Sequence, residues 1–130
     1  MRILSKRLAT LAFALVALLV GALPVQAGPY EDALAGFTTD SFSDTQTAIN
    51  AVVDSGDPLA AKVLEALQDA RLLYSATTKQ VLFKDGADNL FDAPTGKPFG
   101  GTPPADLDNV RLNNRLRGTL NAAIGGLTLM

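Results

Sequence analysis

The chain has 130 residues, with 11 Lys or Arg against 13 Asp or Glu, and it contains no cysteine, histidine or tryptophan. Without histidine it lacks the commonest general base and the commonest transition-metal ligand, and without cysteine its core must hold by packing alone. Its acidic balance disfavours nucleic acid as a partner, because phosphate binding needs a positively charged surface.

The first 27 residues have the three regions of a secretory signal peptide in their usual order. The basic start MRILSKR precedes the uncharged run LATLAFALVALLV, and small residues before and at Ala27 suit a signal peptidase. A retained membrane anchor is the alternative, but this run is shorter than the roughly 20 apolar residues that span a bilayer. Cleavage after Ala27 would leave an exported domain, residues 28–130. Three basic and no acidic residues lie in the first 27, so these 103 residues would carry a net charge of −5.

The exported part opens with two predicted helices. Residues 29–37 begin with a proline suited to a first helical turn and place apolar residues at helical spacing. Residues 43–54 follow a capping box in which Ser43 is the N-cap and Gln46 reaches back to the free backbone N–H. The apolar stripe of this second helix comprises Thr45, Ala48, Ile49, Val52 and Val53.

A third helix is predicted over residues 58–71, because Asp57 is a good N-cap and Pro58 suits the first turn. Its apolar face comprises Leu59, Val63, Ala66, Leu67 and Ala70. Only the stretch SGDP separates it from the preceding helix. The sequence therefore predicts an antiparallel helical hairpin.

A β-hairpin is predicted over about residues 73–92, where LLYSA and QVLFK are short runs of strand-forming residues. Asp85-Gly86 is a strong turn signal, and the run at Leu90-Phe91 makes a third strand possible in this region. Residues 93–104, rich in glycine and proline, predict an extended surface loop.

The last predicted helix covers residues 105–124 and ends by fraying at Gly125-Gly126. One side of it is apolar and comprises Leu112, Leu116, Leu120, Ala123, Ile124 and Leu127. The predicted fold is therefore mainly α: a helical hairpin, a small β-hairpin insertion and a C-terminal amphipathic helix.

Two clusters are candidates for ligand binding. In DGADNLFD, the side chains of Asp85, Asp88, Asn89 and Asp92 suggest a calcium loop, but the EF-hand spacing is absent and a solvated turn is the alternative. The second cluster lies in VRLNNRLR and comprises Arg111, Asn113, Asn114, Arg115 and Arg117. Its side chains could bind an anion or a partner protein.

The alternative for the arginines is a solvated helix face that pairs with Asp106 or Asp108, with Asn113 bonding backbone of the Gly/Pro loop. Tyr74 and Phe99 could add an aromatic patch, although packing against neighbouring strands is the commoner use of such residues. The candidate partner contacts are Arg111, Asn114, Arg115, Tyr74 and Phe99. No metal site, cofactor or catalytic residue is predicted.

Two stretches together resemble the N-terminal extracytoplasmic region of the urea ABC-transporter permeases, relatives of the branched-chain amino-acid permeases. They are SFSDTQTAINAVVDSGDPLAAKVLEALQDARLLY and DAPTGKPFGGTPPADLDNVRLNNRLRGTLNAA. The resemblance implies a signal sequence, a HEAT-like helical pair, a small β insertion and an Arg- and Asn-rich helix. In the family, further helical repeats and the membrane-spanning permease follow. No such span follows the signal here, so we expect a permease truncated before its membrane domain.

The resemblance implies a non-catalytic module at the periplasmic face of the inner membrane. Its partners would be transporter subunits or the periplasmic substrate-binding protein. A free-standing periplasmic binding or adaptor protein is the alternative, with the Gly/Pro loop and the hairpin aromatics as its contact surface. An enzyme is the third possibility, disfavoured because no serine has a histidine to activate it.

Overall fold

The computed structural model describes residues 28–128, so the predicted signal peptide lies outside the described residues. Helices occupy both ends of this range and a small sheet occupies the middle. The elements are α1 (Pro29–Ala35), a 3₁₀ turn (Gly36–Thr39), α2 (Phe42–Ser55), α3 (Ala60–Gln68), β1 (Leu72–Tyr74), β2 (Val81–Lys84), β3 (Leu90–Asp92), β4 (Asp108–Asn109) and α4 (Asn114–Thr128).

The described residues form a mixed α/β domain, not the mainly α fold expected from the sequence. The strands make one antiparallel sheet in the order β3-β2-β1-β4. The predicted hairpin is therefore a three-stranded meander, and an unpredicted fourth strand pairs with β1. Among residues 28–128, none of the helices has the length and apolar content that a membrane crossing requires.

The predicted helical hairpin is present as α2 and α3, but α2 begins earlier than the capping box at Ser43 suggested. Its N-cap is Ser41, whose backbone is extended and whose Oγ accepts a hydrogen bond from the Asp44 N–H at 3.3 Å. Ser41 and Asp44 have the same spacing as the predicted pair Ser43 and Gln46, two positions earlier in the chain. This earlier start brings Phe42 into the first turn of the helix.

At the other end of the hairpin, α3 stops at Gln68 instead of residue 71. Ala70 is left-handed with φ of 59°, and the Arg71 N–H bonds the Ala66 carbonyl at 2.7 Å. This is the Schellman arrangement, in which glycine is the usual residue at the left-handed position. Because the chain has alanine there, no glycine marks the helix end, and Ala70 is exposed instead of lying on the apolar face.

The last helix starts nine residues later than predicted, because residues 105–113 are not helical. Asp108 and Asn109 pair with β1, and the Val110 N–H donates to the Leu72 carbonyl at 3.0 Å. Backbone groups used in the sheet cannot also form helical hydrogen bonds. Asn113 then caps α4 by accepting from the Leu116 N–H at 2.8 Å, so it serves its own helix and not the Gly/Pro loop.

The apolar stripe predicted for α4 is confirmed. Leu116 and Leu120 are at most 1% exposed, and the helix packs against both α2 and α3. The flanking residues of the stripe are partly buried against the same core; they are Leu112, Ala123, Ile124 and Leu127. The helix continues through Gly125-Gly126 to Thr128, so the predicted fraying is wrong.

One core joins the helices to the sheet. Side chains alternate across β1 and β2, so Leu72, Tyr74 and Phe83 face the helices while Leu73 and Leu82 pair on the opposite face. Across the sheet, the Phe83 and Phe91 rings stack with centroids 5.4 Å apart, as expected for a cross-strand aromatic pair.

A polar cluster holds β4 beside β1. The fully buried Ser75 donates from Oγ to Asp106 at 2.6 Å and accepts from the Thr78 N–H at 3.1 Å. The second oxygen of Asp106 accepts from the Thr77 N–H at 3.1 Å. These hydrogen bonds, led by that from Ser75, lower the pKa of Asp106 to about 2. Asp106 therefore pairs with the β1–β2 turn and not with an arginine.

Replacing Ala70 by glycine should stabilise the protein. An L-residue in the left-handed region costs roughly 1–2 kcal/mol, and glycine removes this cost. Part of the stabilisation is offset because glycine makes the unfolded chain more flexible. We expect the free energy of unfolding in urea to rise by about 0.5–1 kcal/mol. Ala61→Gly, the same change inside α3, is the control and should lower it by about 1 kcal/mol. Destabilisation by both changes would contradict the left-handed helix end.

Acid should remove the stabilisation that Asp106 provides. Its folded-state pKa of about 2 lies below the roughly 3.9 of an unfolded aspartate, so its contribution is complete above that value and disappears as the pH falls towards 2. Urea unfolding from pH 6 to pH 2 should show this loss in the wild type. The Asp106→Asn variant should be less stable than wild type at pH 6. Its free energy of unfolding should change less between pH 4 and pH 2 than that of wild type. An unchanged slope in the variant would show that other carboxylates cause the acid loss.

Candidate functional site

The exposed aromatic ring of Phe42 marks the most distinctive part of the described surface. Phe42 is 41% exposed, and within residues 28–128 it is the large apolar side chain that stands out as exposed. The Arg111 guanidinium lies over its ring at 5.2 Å from the centroid, within cation–π range. We call the area formed by Phe42, Gln46, Arg111, Asn113 and Arg115 the Phe42 surface.

Arg111 is fixed in place by an ion pair across the fold. Its Nε donates to Oδ1 of Asp40 at 2.9 Å, although 71 positions separate the two residues. Asp40 is itself left-handed, with φ of 54°, at the end of the 3₁₀ turn. The Phe42 ring and the Asp40 carboxylate thus hold the guanidinium from two directions.

Tyr74 lies beneath this pair and is only 6% exposed, so it supports the Phe42 surface from below. Burial, followed by the nearby charges of Asp40 and Asp108, raises the pKa of the Tyr74 phenol above its usual value. It therefore stays neutral at physiological pH. Its role is to support Arg111 and Phe42, and too little of it is exposed to contact a partner.

Arg115 lies on the other side of Phe42, beside a shallow open cavity of about 230 Å³. The cavity lies between the start of α2 and the start of α4. Its lining comprises Phe42, Ser43, Gln46, Asn113, Arg115 and Leu116. Arg115 is the one charged residue in that lining, and among the described residues its guanidinium has no ion pair.

The other two predicted contact residues do not line this cavity. Asn114 is exposed at the first position of α4, next to the cap residue. Phe99 is half-buried, and its N–H bonds the Leu90 carbonyl of β3 at 3.0 Å. Because β3 and β4 are opposite edges of the sheet, Phe99 lies on the edge away from Arg111.

Sequence reasoning missed Phe42, Asp40 and Gln46. Phe42 had a detectable signal, since an aromatic residue directly after a good N-cap, Ser41, is placed in the first turn of a helix. Asp40 had none, because its partner Arg111 is remote in the chain. The expected pairing of the arginines with Asp106 or Asp108 is wrong for Arg111, which pairs with Asp40.

The aspartate-rich loop is organised by its own hydrogen bonds. Asp85 Oδ1 accepts from the N–H groups of Ala87 and Asn89, both at 2.9 Å, and Oδ2 accepts from the Asn89 side chain at 3.1 Å. These bonds lower the pKa of Asp85, and the bond from the Asn89 side chain contributes most to that shift. Within residues 28–128, no three carboxylates converge as a metal site would need.

A second cavity differs from the Phe42 surface in its charge. It measures about 270 Å³ and lies between α1 and α2, where small side chains such as Ala33, Ala48 and Ala51 leave a groove. Its charged lining residues are both acidic, Asp32 and Asp44. The two cavities therefore favour different partners, and only the one beside Phe42 combines an aromatic ring with a cation.

The Asp40–Arg111 pair should be coupled and sensitive to salt. A double-mutant cycle over Asp40→Asn and Arg111→Gln, read from urea unfolding, should give a favourable coupling in dilute buffer. The coupling should decrease in 1 M NaCl, where the Debye length is about 3 Å, because both side chains are exposed. Additive single-variant effects at both salt concentrations would show that the pair does not fix Arg111.

Comparison of the chain with protein-family models, with curated proteins and with solved structures finds no match. Within residues 28–128, the geometry brings an exposed aromatic ring and an arginine without an ion pair together where the starts of α2 and α4 meet.

Proposed function

We propose that the chain is a non-catalytic extracytoplasmic module of a urea-type ABC transporter permease, and that it mediates protein contacts during transport. The observation that carries this proposal is the Phe42 surface, an exposed aromatic ring next to an unpaired arginine on a rigidly packed pair of helices. Aromatic residues and arginine are the types most enriched at the energetic centres of protein interfaces. The sequence resemblance supplies the transporter context.

The helical part of the domain is consistent with a HEAT-like origin for this module. Helices α2 and α3 are joined by a short turn at Gly56 and Asp57, and α4 packs across both of them. Stacked helix pairs of repeat proteins present one face to the next unit and another to partners. We assign α2 and α3 to the helical pair of the family and α4 to its Arg- and Asn-rich helix.

Two of the serines that could act as nucleophiles have structural roles. Ser41 caps α2 and Ser75 is buried against Asp106, so neither hydroxyl is available to a substrate. With no histidine in the chain, a serine would also lack its usual general base. These observations support a binding role without a reaction.

Site-directed photo-crosslinking in the source organism, grown on urea as nitrogen source, tests the proposal. A photo-crosslinking amino acid replaces Ser43, which lines the cavity beside Phe42. In the matched control it replaces Ala87, in the exposed β2–β3 turn. We expect Ser43 but not Ala87 to crosslink to another transporter subunit or to the periplasmic substrate-binding protein. Deletion of the gene should reduce uptake of labelled urea several-fold, and the unmodified gene should restore it.

Unchanged urea uptake together with crosslinks to unrelated periplasmic proteins would contradict the transporter role. The alternative, a free-standing periplasmic adaptor, would then account for the same surface. Equal crosslinking from Ser43 and Ala87 would show that the Phe42 surface has no special part in any contact.

A further inference from the structure

The three arginines near the end of the chain have different environments. Arg111 is neutralised by Asp40, whereas neither Arg115 nor Arg117 has an ion pair among the described residues. At about 100° per residue, Arg115 and Arg117 lie about 200° apart around α4, on opposite flanks of the buried Leu116. Only Arg115 lines the cavity beside Phe42.

The one charged residue in the lining of this cavity is opposite in sign to the net charge of the domain. The Asp40–Arg111 pair is neutral, and Arg115 contributes one positive charge at the rim. Charges beyond the Debye length of about 8 Å at physiological salt are largely screened. A ligand at this cavity consequently experiences Arg115 more than the net charge of −5 on residues 28–130.

The polar groups in the cavity match a peptide. The Asn113 Oδ1 is used to cap α4, which leaves its amide N–H₂ free to donate, and the half-buried Gln46 can both donate and accept. Arg115 can bind a carboxylate through two parallel hydrogen bonds. The Phe42 ring supplies an apolar contact next to these groups.

The size of the cavity also favours a peptide side chain over a free small molecule. Its volume of about 230 Å³ is below the roughly 300–1,000 Å³ of typical small-molecule sites, and it is open to solvent. A nucleic acid would need a row of cations, and one unpaired arginine does not provide it. One apolar side chain flanked by a carboxylate matches what the cavity offers.

We propose that this cavity docks an acidic segment of the partner protein, with a carboxylate on Arg115 and a neighbouring apolar side chain against Phe42. The inference rests on the proposed function, since it names the chemistry of the contact that such a module would make. It assigns Arg115 as the charge-recognising residue and Arg117 as a solvent-facing one.

Peptide titration with the purified protein, residues 28–130, tests the inference without any transporter component. The probe is a fluorescein-labelled peptide with three glutamates and two leucines between Gly-Ser flanks, and its twin has glutamine at each glutamate position. We expect the acidic peptide to bind, seen as a rise in anisotropy, and the glutamine twin to bind at least about tenfold more weakly, because its carboxylates are missing.

Charge reversal at two positions of α4 then separates the local effect from the overall charge. Arg115→Glu should weaken binding of the acidic peptide by about tenfold or more, whereas Arg117→Glu, with the same change in net charge, should alter it by less than about threefold. Phe42→Ala should weaken both peptides. Arg115→Gln serves if the reversal disturbs folding, which circular dichroism melting checks for every variant.

Several outcomes overturn the inference. They are no binding of the acidic peptide to the wild type, equal binding of the two peptides, and equal effects of Arg115→Glu and Arg117→Glu. Self-association that Arg115→Glu abolishes in sedimentation velocity would also overturn it, because a second copy would then occupy the cavity.

The two proposals can fail separately. Charge-dependent peptide binding at Arg115 without crosslinks to the transporter would leave the inference standing and remove the transporter role. Crosslinks to the transporter that persist unchanged in the Arg115→Glu variant would leave the transporter role standing and remove the inference about Arg115.

Discussion

The burial of Leu116 and Leu120 beneath α2 and α3 is the interaction on which the rest of this structure depends. A domain of about 100 residues without disulfides has little core to spare, so each element must contribute apolar surface to the same cluster. Helix α4 packs against α2 and α3 and adds Leu116 and Leu120 to that core. Once these two leucines are buried, the start of α4 has to lie against the start of α2.

That juxtaposition creates the Phe42 surface. The chain reaches α4 from β4, where Val110 is buried and its N–H is bonded to β1. Arg111, the next residue, emerges directly above Tyr74 and beside Asp40. The same alternation that buries one residue of an extended segment exposes its neighbour, so the ion pair and the ring contact follow from the strand pairing. Arg115, the second residue of α4, then borders the cavity between the two helix starts.

How far the sequence could predict this fold depended on how local each signal was. The sequence could predict the helices, the turn at Gly56 and the β-hairpin region. It could do so because periodicity, capping residues and turn residues are short-range features. The end of α3 could not be predicted, because alanine occupies the position where glycine normally signals a stop. The start of α4 could not either, because the backbone of residues 108–110 pairs with β1, which is remote in the chain.

The sequence by itself determined which faces are apolar, that cysteine and histidine chemistry is absent, and that three arginines cluster near one helix. Only the tertiary structure decided which arginine is neutralised, which is exposed to solvent alone, and which borders a cavity. The reason is that the partners of these side chains, Asp40 and Phe42, lie about 70 residues earlier in the chain. Contacts over that separation arise from the packing of the whole core, and no local pattern of residues encodes them.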